Sequence, residues 1–316
     1  MSCPAVLIAD DPACHRALAT LTVLDRQIIA AHLAGASPIT VVHEGDRPAL
    51  ERARELEIGF EMAGEIPKIT KPTLLLAGNL AVQTEDLKSI IAESGRLHDT
   101  DKTPLPCGMA ASWTDDLESS LPGGPGVTAR GVARWVKDDL SSAQAEDELW
   151  DTMGLETDSP VDRNFNRPLG RPLSRLLIHT PISPNVVSVF ATLVGVFAAG
   201  CFAQGKPQSM ILGALILQIA AVIDCVGSDL ARILHRESIT GQWLDFAGGQ
   251  LVHFCLFAGL GVGLHQQQTQ SGPGLWLGLA GVLGMVIALV IVLRARQNPA
   301  PHPRLQSFIQ KTANRD

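Results

Sequence analysis

The sequence predicts an α/β domain followed by an all-α polytopic membrane domain, and three observations carry that expectation. Most of the charge lies in residues 1–176, while residues 185–293 hold little of it. The second stretch contains four long apolar segments. The first hundred residues alternate between strand-like and helix-like patterns, the mark of a mainly parallel sheet. The averages for the 316 residues, 46% hydrophobic and 18% charged, hide this division. The expected boundaries are 1–150 for the first domain, 151–182 for a linker with a juxtamembrane helix, and 183–316 for the membrane domain.

In the first domain, Ala5–Ala9 is a continuous apolar run that suits a buried strand. Leu21–Ala34 has helical spacing and stops at Gly35, a C-terminal cap signal. Pro38–His43 reads as a strand, Arg47–Glu57 as a helix and Thr73–Ala77 as a third strand. The next helix, Thr84–Glu93, opens on a Thr with acids behind it, which favours a helix N-terminus. Asp10 and Asp11 open a loop where a cap or turn is the commoner role and a metal the rarer one. Leu121-Pro-Gly-Gly-Pro-Gly126 reads as a loop but not a phosphate cradle, because its prolines remove backbone donors.

Residues 162–178 form an amphipathic pattern. Arg163, Arg167, Arg171 and Arg175 recur every four residues, with Phe165, Leu169, Leu173, Leu176 and Leu177 between them. The expected role is a solvated stripe facing lipid headgroups, and the functional alternative is an Arg reaching a substrate phosphate. Pro168, Pro172, Pro181 and Pro184 predict a bend before the first span. The apolar segments run over roughly 185–203, 208–223, 244–264 and 274–293, against the ~20 residues a helix needs to cross the hydrocarbon core. Arg163 to Arg175, Arg232 and Arg236, and Arg294, Arg296, Arg304, Lys311 and Arg315 fall on one side if both termini are cytoplasmic. Trp243 and Trp276 stand at span ends, where indole favours the interface. The N-terminus lacks a charged stretch followed by an apolar core, so no cleaved signal is expected. The predicted location is the cell (inner) membrane, with the N-terminal domain and the C-terminus cytoplasmic.

Composition excludes other classes. A net charge of -7 and the lack of a basic stripe with interleaved aromatics argue against a nucleic-acid binder. The six cysteines, at 3, 14, 107, 201, 225 and 255, form no CxxC pair and no zinc spacing, and read as small buried hydrophobes.

The chemistry concentrates in Asp224-Cys-Val-Gly-Ser-Asp-Leu-Ala231-Arg232, followed after eight residues by Gly241-Gln-Trp-Leu-Asp245 and on to Gly249. The apolar pattern places Asp224 at the end of one span and Asp245 at the start of the next. Carboxylates at a bilayer edge are costly unless they face an ion, a partner or water. Two of them with an Arg between suggest a site for a divalent cation and a phosphate.

This stretch resembles the signature of the CDP-alcohol phosphotransferases, D-x2-D-G-x2-A-R-x8-G-x3-D-x3-D. Asp224, Ala231, Arg232, Gly241 and Asp245 fall in register. Flanking segments Asn166-Arg-Pro-Leu, Arg171-Pro-Leu-Ser-Arg, Thr180-Pro-Ile-Ser-Pro-Asn185 and Ala313-Asn-Arg-Asp316 are similar to the subgroup that fuses a nucleotidyltransferase domain to the phosphotransferase, the inositol-phosphate cytidylyltransferase/phosphotransferase type. The resemblance implies transfer of a phosphoalcohol group from a CDP-alcohol to an acceptor alcohol or lipid, with CMP released, in phospholipid synthesis. It implies Mg2+ or Mn2+ at Asp224 and Asp245, and nucleotide or phosphate contacts at Arg232, Ala231 and Gly241.

The chain departs from the signature where Gly227, Ser228 and Gly249 stand. Two of the four aspartates are therefore missing, so weakened metal binding is expected, and a catalytically impaired lipid-pathway partner or nucleotide-binding protein is the alternative function. Asp229, five residues from Asp224, points about 140° away on a helix and is no simple replacement. His253, two turns past Asp245 on roughly the same face, is a substitute proton acceptor or, as the commoner reading, a satisfied core histidine. Members of the type continue into two more spans. With four, either the chain is a truncated product or a partner such as a second copy is expected to cover the exposed helix faces, giving a homodimer. In the first domain, Leu24 to Ala36 resembles the helix after the phosphate loop of sugar-type nucleotidyltransferases. The Asp10–Arg16 loop lacks glycine, however, and Gly78-Asn79 stands where that family has an aspartate. A degenerate nucleotidyltransferase-like domain is the expectation.

Overall fold

A computed structural model describes residues 3–43, 50–123, 126–154, 158–267 and 273–297, the last three by backbone alone. Expectations that rest on Arg296, Arg304, Lys311, Arg315 and Ala313–Asp316 lie outside the described residues or side chains, as does the middle of the 121–126 loop. The chain forms two compact units, Met1–Met153 and Gly154–Asp316.

The first unit is built on strands β1 (Cys3–Ile8), β2 (Ala17–Leu18), β3 (Leu21–Thr22), β4 (Ala36–Val42), β5 (Phe60–Ala63), β6 (Thr73–Ala77), β7 (Leu80–Val82), β8 (Arg96–His98), β9 (Pro104–Ala110), β10 (Gly126–Thr128) and β11 (Ala133–Trp135). Its helices are α1 (Val23–Leu33), α2 (Glu51–Glu55), α3 (Thr84–Glu93), α4 (Leu117–Ser120) and α5 (Asp139–Asp151). Seven strands make the main sheet in the order β10-β8-β9-β6-β1-β4-β5. β1 pairs in parallel with both β4 and β6, and β4 with β5. β9 alone runs antiparallel to its neighbours β6 and β8. The central strands are fully buried, with Leu7, Leu74, Leu75 and Leu76 at 0% exposure, as strands covered on both faces require. Thr22 caps α1 through Asp25 N at 3.1 Å, and Asp138 with Ser141 forms a capping box on α5.

The charged residues of α1 are engaged in holding this unit together. Asp25 accepts from Arg52 N at 2.9 Å and Ala53 N at 2.8 Å, which secures the start of α2. The buried Arg26 donates to the carbonyls of Leu18 and Ala19, and burial lowers its pKa to about 10. Gln27 donates to Leu80 O. Cys14 is buried, and burial together with the Asp11 charge raises its thiol to about 12, so it is not a nucleophile at neutral pH.

The second unit begins with a π-type turn over Asp162–Asn166 that runs into α6 (Arg167–Leu177). Four helices follow: α7 (Pro184–Ala203), α8 (Pro207–Ile233), α9 (Ile239–Gln267) and α10 (Gly274–Gln297). All four are long and apolar enough to cross a membrane. Ser183 caps α7 with Pro184 in its first turn. α8 and α9 extend past the apolar runs at both ends. Asp224 and Asp245 therefore stand inside helices and not at their ends, a correction to the sequence reading.

Small residues allow these helices to touch at backbone distance. A Cβ on Gly259 would lie 2.4 Å from Ala199 O, and one on Gly263 2.2 Å from Phe202 O, so α7 and α9 meet through bare backbone. Gly261 and Gly278 do the same between α9 and α10. These glycines are engaged within the chain and offer no small-residue face to a second copy. Gly259→Val should force α7 and α9 apart at a cost of about 1–3 kcal/mol, read as a lower midpoint in detergent thermal unfolding. An unchanged midpoint would contradict the close crossing.

α6 corrects the expected solvated arginine stripe. Phe165, Leu169, Leu173 and Leu176 are the exposed face, whereas Arg167, Gly170 and Ser174 are buried. A Cβ on Gly170 would meet Val226 Cγ2 at 3.0 Å, so this face lies against α8. The leucine stripe is left outward, the orientation an interfacial helix needs to bury apolar side chains among acyl chains.

Candidate active site

The signature residues gather where α7, α8 and α9 meet. Asp224 on α8 lies within Coulombic range of Asp245 on α9, of Asp162 at the turn before α6, and of Arg167. It opens onto a cavity of about 230 Å³ lined from α7 by Ala191 and Thr192, from α8 by Leu217 and Ala220, and from α9 by Val252 and His253. Gly248 and Gly249 also face this cavity.

The two lost aspartates have opposite surroundings. At Gly249 an added Cβ meets nothing within 4 Å, so that position looks into open space. At Gly227 a Cβ would lie 3.0 Å from Ser188 Oγ and 3.5 Å from Pro184 O, so the position is closed against α7. Gly241 is also tight: a Cβ there would lie 2.9 Å from Asn185 Oδ1, while its N–H donates to Ser238 Oγ at 3.0 Å. The Ser-Pro-Asn segment that opens α7 and the motif glycine that opens α9 are thereby fitted to each other.

Asp229 belongs to a separate ionic cluster. Arg167 donates to both oxygens of Asp158, at 2.8 and 2.9 Å, and its third nitrogen pairs with Asp229. All three side chains are at most 10% exposed. Burial alone would lower the Arg167 pKa, but the hydrogen bond to Asp158 and the charges of Asp229 and Asp158 outweigh it and hold the group above its ordinary value. Arg167 is thus a buried tie between α6 and α8. Arg232, half-buried, shares the field of Asp158 and Asp229 and stands 3.9 Å from Glu237. Ala231 precedes it on the same turn of α8.

Sequence reasoning missed Asp162. Its carboxylate accepts from Asn166 Nδ2 at 2.6 Å and Ser159 Oγ at 2.7 Å, and Cys225 Sγ lies 3.7 Å from it. Three donors already occupy it, so it supplies negative field to Asp224 more readily than a free ligand oxygen. Among the described residues no group of three or more His, Cys, Asp or Glu could hold a metal. Asp224 and Asp245 alone cannot close a divalent coordination shell. They do suit a Mg2+-type ion, which is commonly held by one or two carboxylates with substrate phosphates completing its shell.

In the first unit the positions that resemble a nucleotidyl-transfer site are structurally engaged. Asp11 caps the short 3-10 turn at Pro12–His15 by accepting from Ala13 N at 2.8 Å. Asn79 donates to Asp11 Oδ2 at 2.9 Å and Val136 O at 3.0 Å, and accepts from Trp135 Nε1 at 3.0 Å. Both amide donors and the carbonyl of Asn79 therefore have protein partners, where the resembled family has an aspartate.

Comparison with known proteins decides the family of the second unit. Residues 181–313 match the family model described as CDP-alcohol phosphatidyltransferase. Residues 181–313 are a CDP-alcohol phosphatidyltransferase domain. Over 213 residues the chain is 28% identical to the bifunctional IPC transferase and DIPP synthase of Rubrobacter xylanophilus, covering 66% of this chain and 47% of that protein. It is 31% identical over 107 residues to the protein of the same name from Aquifex aeolicus, covering 34% of this chain and 24% of the relative. The chain therefore spans about half or less of the curated relatives it matches. The Rubrobacter match is longer than the membrane half, so it takes in part of the nucleotidyltransferase-like first unit. Enzymes with a CDP-alcohol phosphatidyltransferase domain use divalent metals, CDP-alcohols and alcohol acceptors, and the four apolar helices make this a multi-pass membrane protein.

Proposed function

We propose that the chain moves a phosphoalcohol group from a CDP-alcohol to an acceptor alcohol or lipid and releases CMP. The supporting observation is the pair Asp224 and Asp245, set on neighbouring helices in each other's field beside a cavity that α7, α8 and α9 share. In this reading the two carboxylates hold one Mg2+ or Mn2+ ion that arrives with the diphosphate. Bound there, the ion neutralises the diphosphate and stabilises CMP as leaving group. Arg232 contacts a phosphate oxygen, and Ala231 and Gly241 leave room for the nucleotide. The basic residues that flank the spans support a cytoplasmic placement of this end of the helices, of the N-terminal domain and of the C-terminus, in the cell membrane.

The test is calorimetric titration of the detergent-purified chain with CDP, with and without Mg2+ or Mn2+, followed by CMP release from CDP-diacylglycerol, CDP-glycerol and CDP-inositol. The expected result is metal-dependent CDP binding that weakens by about 100-fold or more in Asp224→Ala. No binding at millimolar ligand would overturn the reading.

A second reading is favoured by the closed position at Gly227 and the absence of a three-residue metal cluster among the described residues. It is a catalytically impaired member that binds nucleotide or a lipid-pathway partner. It predicts CDP binding without CMP release from any of the three donors.

A further inference from the structure

His253 lines the same cavity as Asp224 and Gly249, and it is exposed there and not packed in a core. Its Nδ1 is 2.7 Å from Gly249 O, one helical turn back. A backbone carbonyl only accepts, so in the neutral ring Nδ1 carries the proton. Nε2 is then the bare nitrogen, with a lone pair and no protein partner among the described residues. This is the opposite of the tautomer an unconstrained imidazole prefers, and here a hydrogen bond made by the other ring nitrogen selects it. The glycine that supplies the carbonyl is the one standing where the signature has its fourth aspartate, and its side-chain position is open space.

We propose that His253 Nε2 is the proton acceptor of this site, in place of the carboxylate missing at Gly249. The inference rests on the transfer reading above. The acceptor hydroxyl oxygen attacks the phosphorus that carries the donor's alcohol, and a new O–P bond forms. The bond from that phosphorus to the bridging oxygen breaks, and its electron pair leaves on CMP. The acceptor's proton passes to His253 Nε2 and then to water.

Two measurements on the full chain in detergent test this. The first is the imidazole 15N spectrum, with the His253 signals identified by their loss in His253→Gln. A proton on Nδ1 and a bare Nε2 are expected, and a neutral ring protonated at Nε2 would overturn the proposal. The second is CMP release. His253→Gln should slow it about 100-fold while CDP–Mg2+ binding stays within about two-fold. At saturating Mg2+, where added metal affinity no longer raises the rate, adding Gly249→Asp to His253→Gln should restore about ten-fold or more, because a carboxylate then returns to the cavity as proton acceptor. A His253→Gln rate within about two-fold of the unmodified chain would sink the proposal and leave the transfer reading intact. Absence of CMP release by the unmodified chain would remove both.

Discussion

Arg167→Met is expected to be the most destabilising single change in the membrane unit, costing about 3–5 kcal/mol. The substitution preserves the aliphatic stem but leaves two carboxylates, Asp158 and Asp229, without the guanidinium that joins them. Asp229 is 3% exposed and Arg167 7%, so water cannot replace the lost partner. The pair also bridges sequence-distant elements, α6 and α8, which also touch where Gly170 faces Val222 and Val226. Arg167→Lys should recover only part of the loss, since an ammonium cannot make the paired bonds to Asp158 together with a third to Asp229. The double variant Arg167→Met, Asp229→Asn should be more stable than Arg167→Met alone, because it removes one of the two stranded charges. Thermal unfolding in detergent measures all three. If Arg167 instead served a bound phosphate, Arg167→Met would melt like the unmodified chain and lose only CDP binding.

That cluster also shows where sequence reading stops. Four spans were legible because apolar runs of this length have no other common use. Their ends were not, because α8 continues through Asp224 and Asp229, and the latter's charge is offset by an arginine 62 residues earlier in the chain. The every-fourth spacing of Arg163, Arg167, Arg171 and Arg175 suggested one uniform stripe. Such a series drifts about 40° around the helix at each step, so its members need not share an environment. Arg163 is exposed, Arg167 is buried, and Arg171 and Arg175 are intermediate. In the first unit the parallel strands β1, β4 and β6 announced themselves as apolar runs. The antiparallel β9 did not, because Pro104 and Pro106 mask its pattern. His253 was read chiefly as a core histidine, since sequence gives its helical face but not the cavity that face borders. Asp162 carried no local signal at all. It matters only because the turn before α6 returns to the middle of α8.

The largest gain of function is expected at Gly249. Gly249→Asp places a second carboxylate into a cavity that already holds Asp224, at a position where its Cβ meets no atom within 4 Å. Without metal the new charge is a cost, because Asp224 already shares the field of Asp245 and Asp162. With metal the same charge becomes a ligand, and affinity in oxygen-ligand sites follows the number of anionic ligands. The variant should therefore melt lower than the unmodified chain in EDTA and gain more from Mg2+, with CDP-dependent Mg2+ affinity rising on the order of ten-fold or more. Gly227→Asp should behave differently. Its Cβ would press on Ser188 Oγ at 3.0 Å, which predicts a loss of about 1–3 kcal/mol and little gain in metal binding until Ser188→Ala frees the space. Thermal unfolding with and without Mg2+, run on both variants and on Gly227→Asp with Ser188→Ala, separates these effects. If Gly249→Asp leaves the Mg2+ dependence unchanged, the residue does not face the ion site that Asp224 and Asp245 are proposed to form. If Gly227→Asp alone strengthens metal binding, α7 yields more easily than its contacts imply, and the lost second aspartate is a reversible change and not one built into the helix packing.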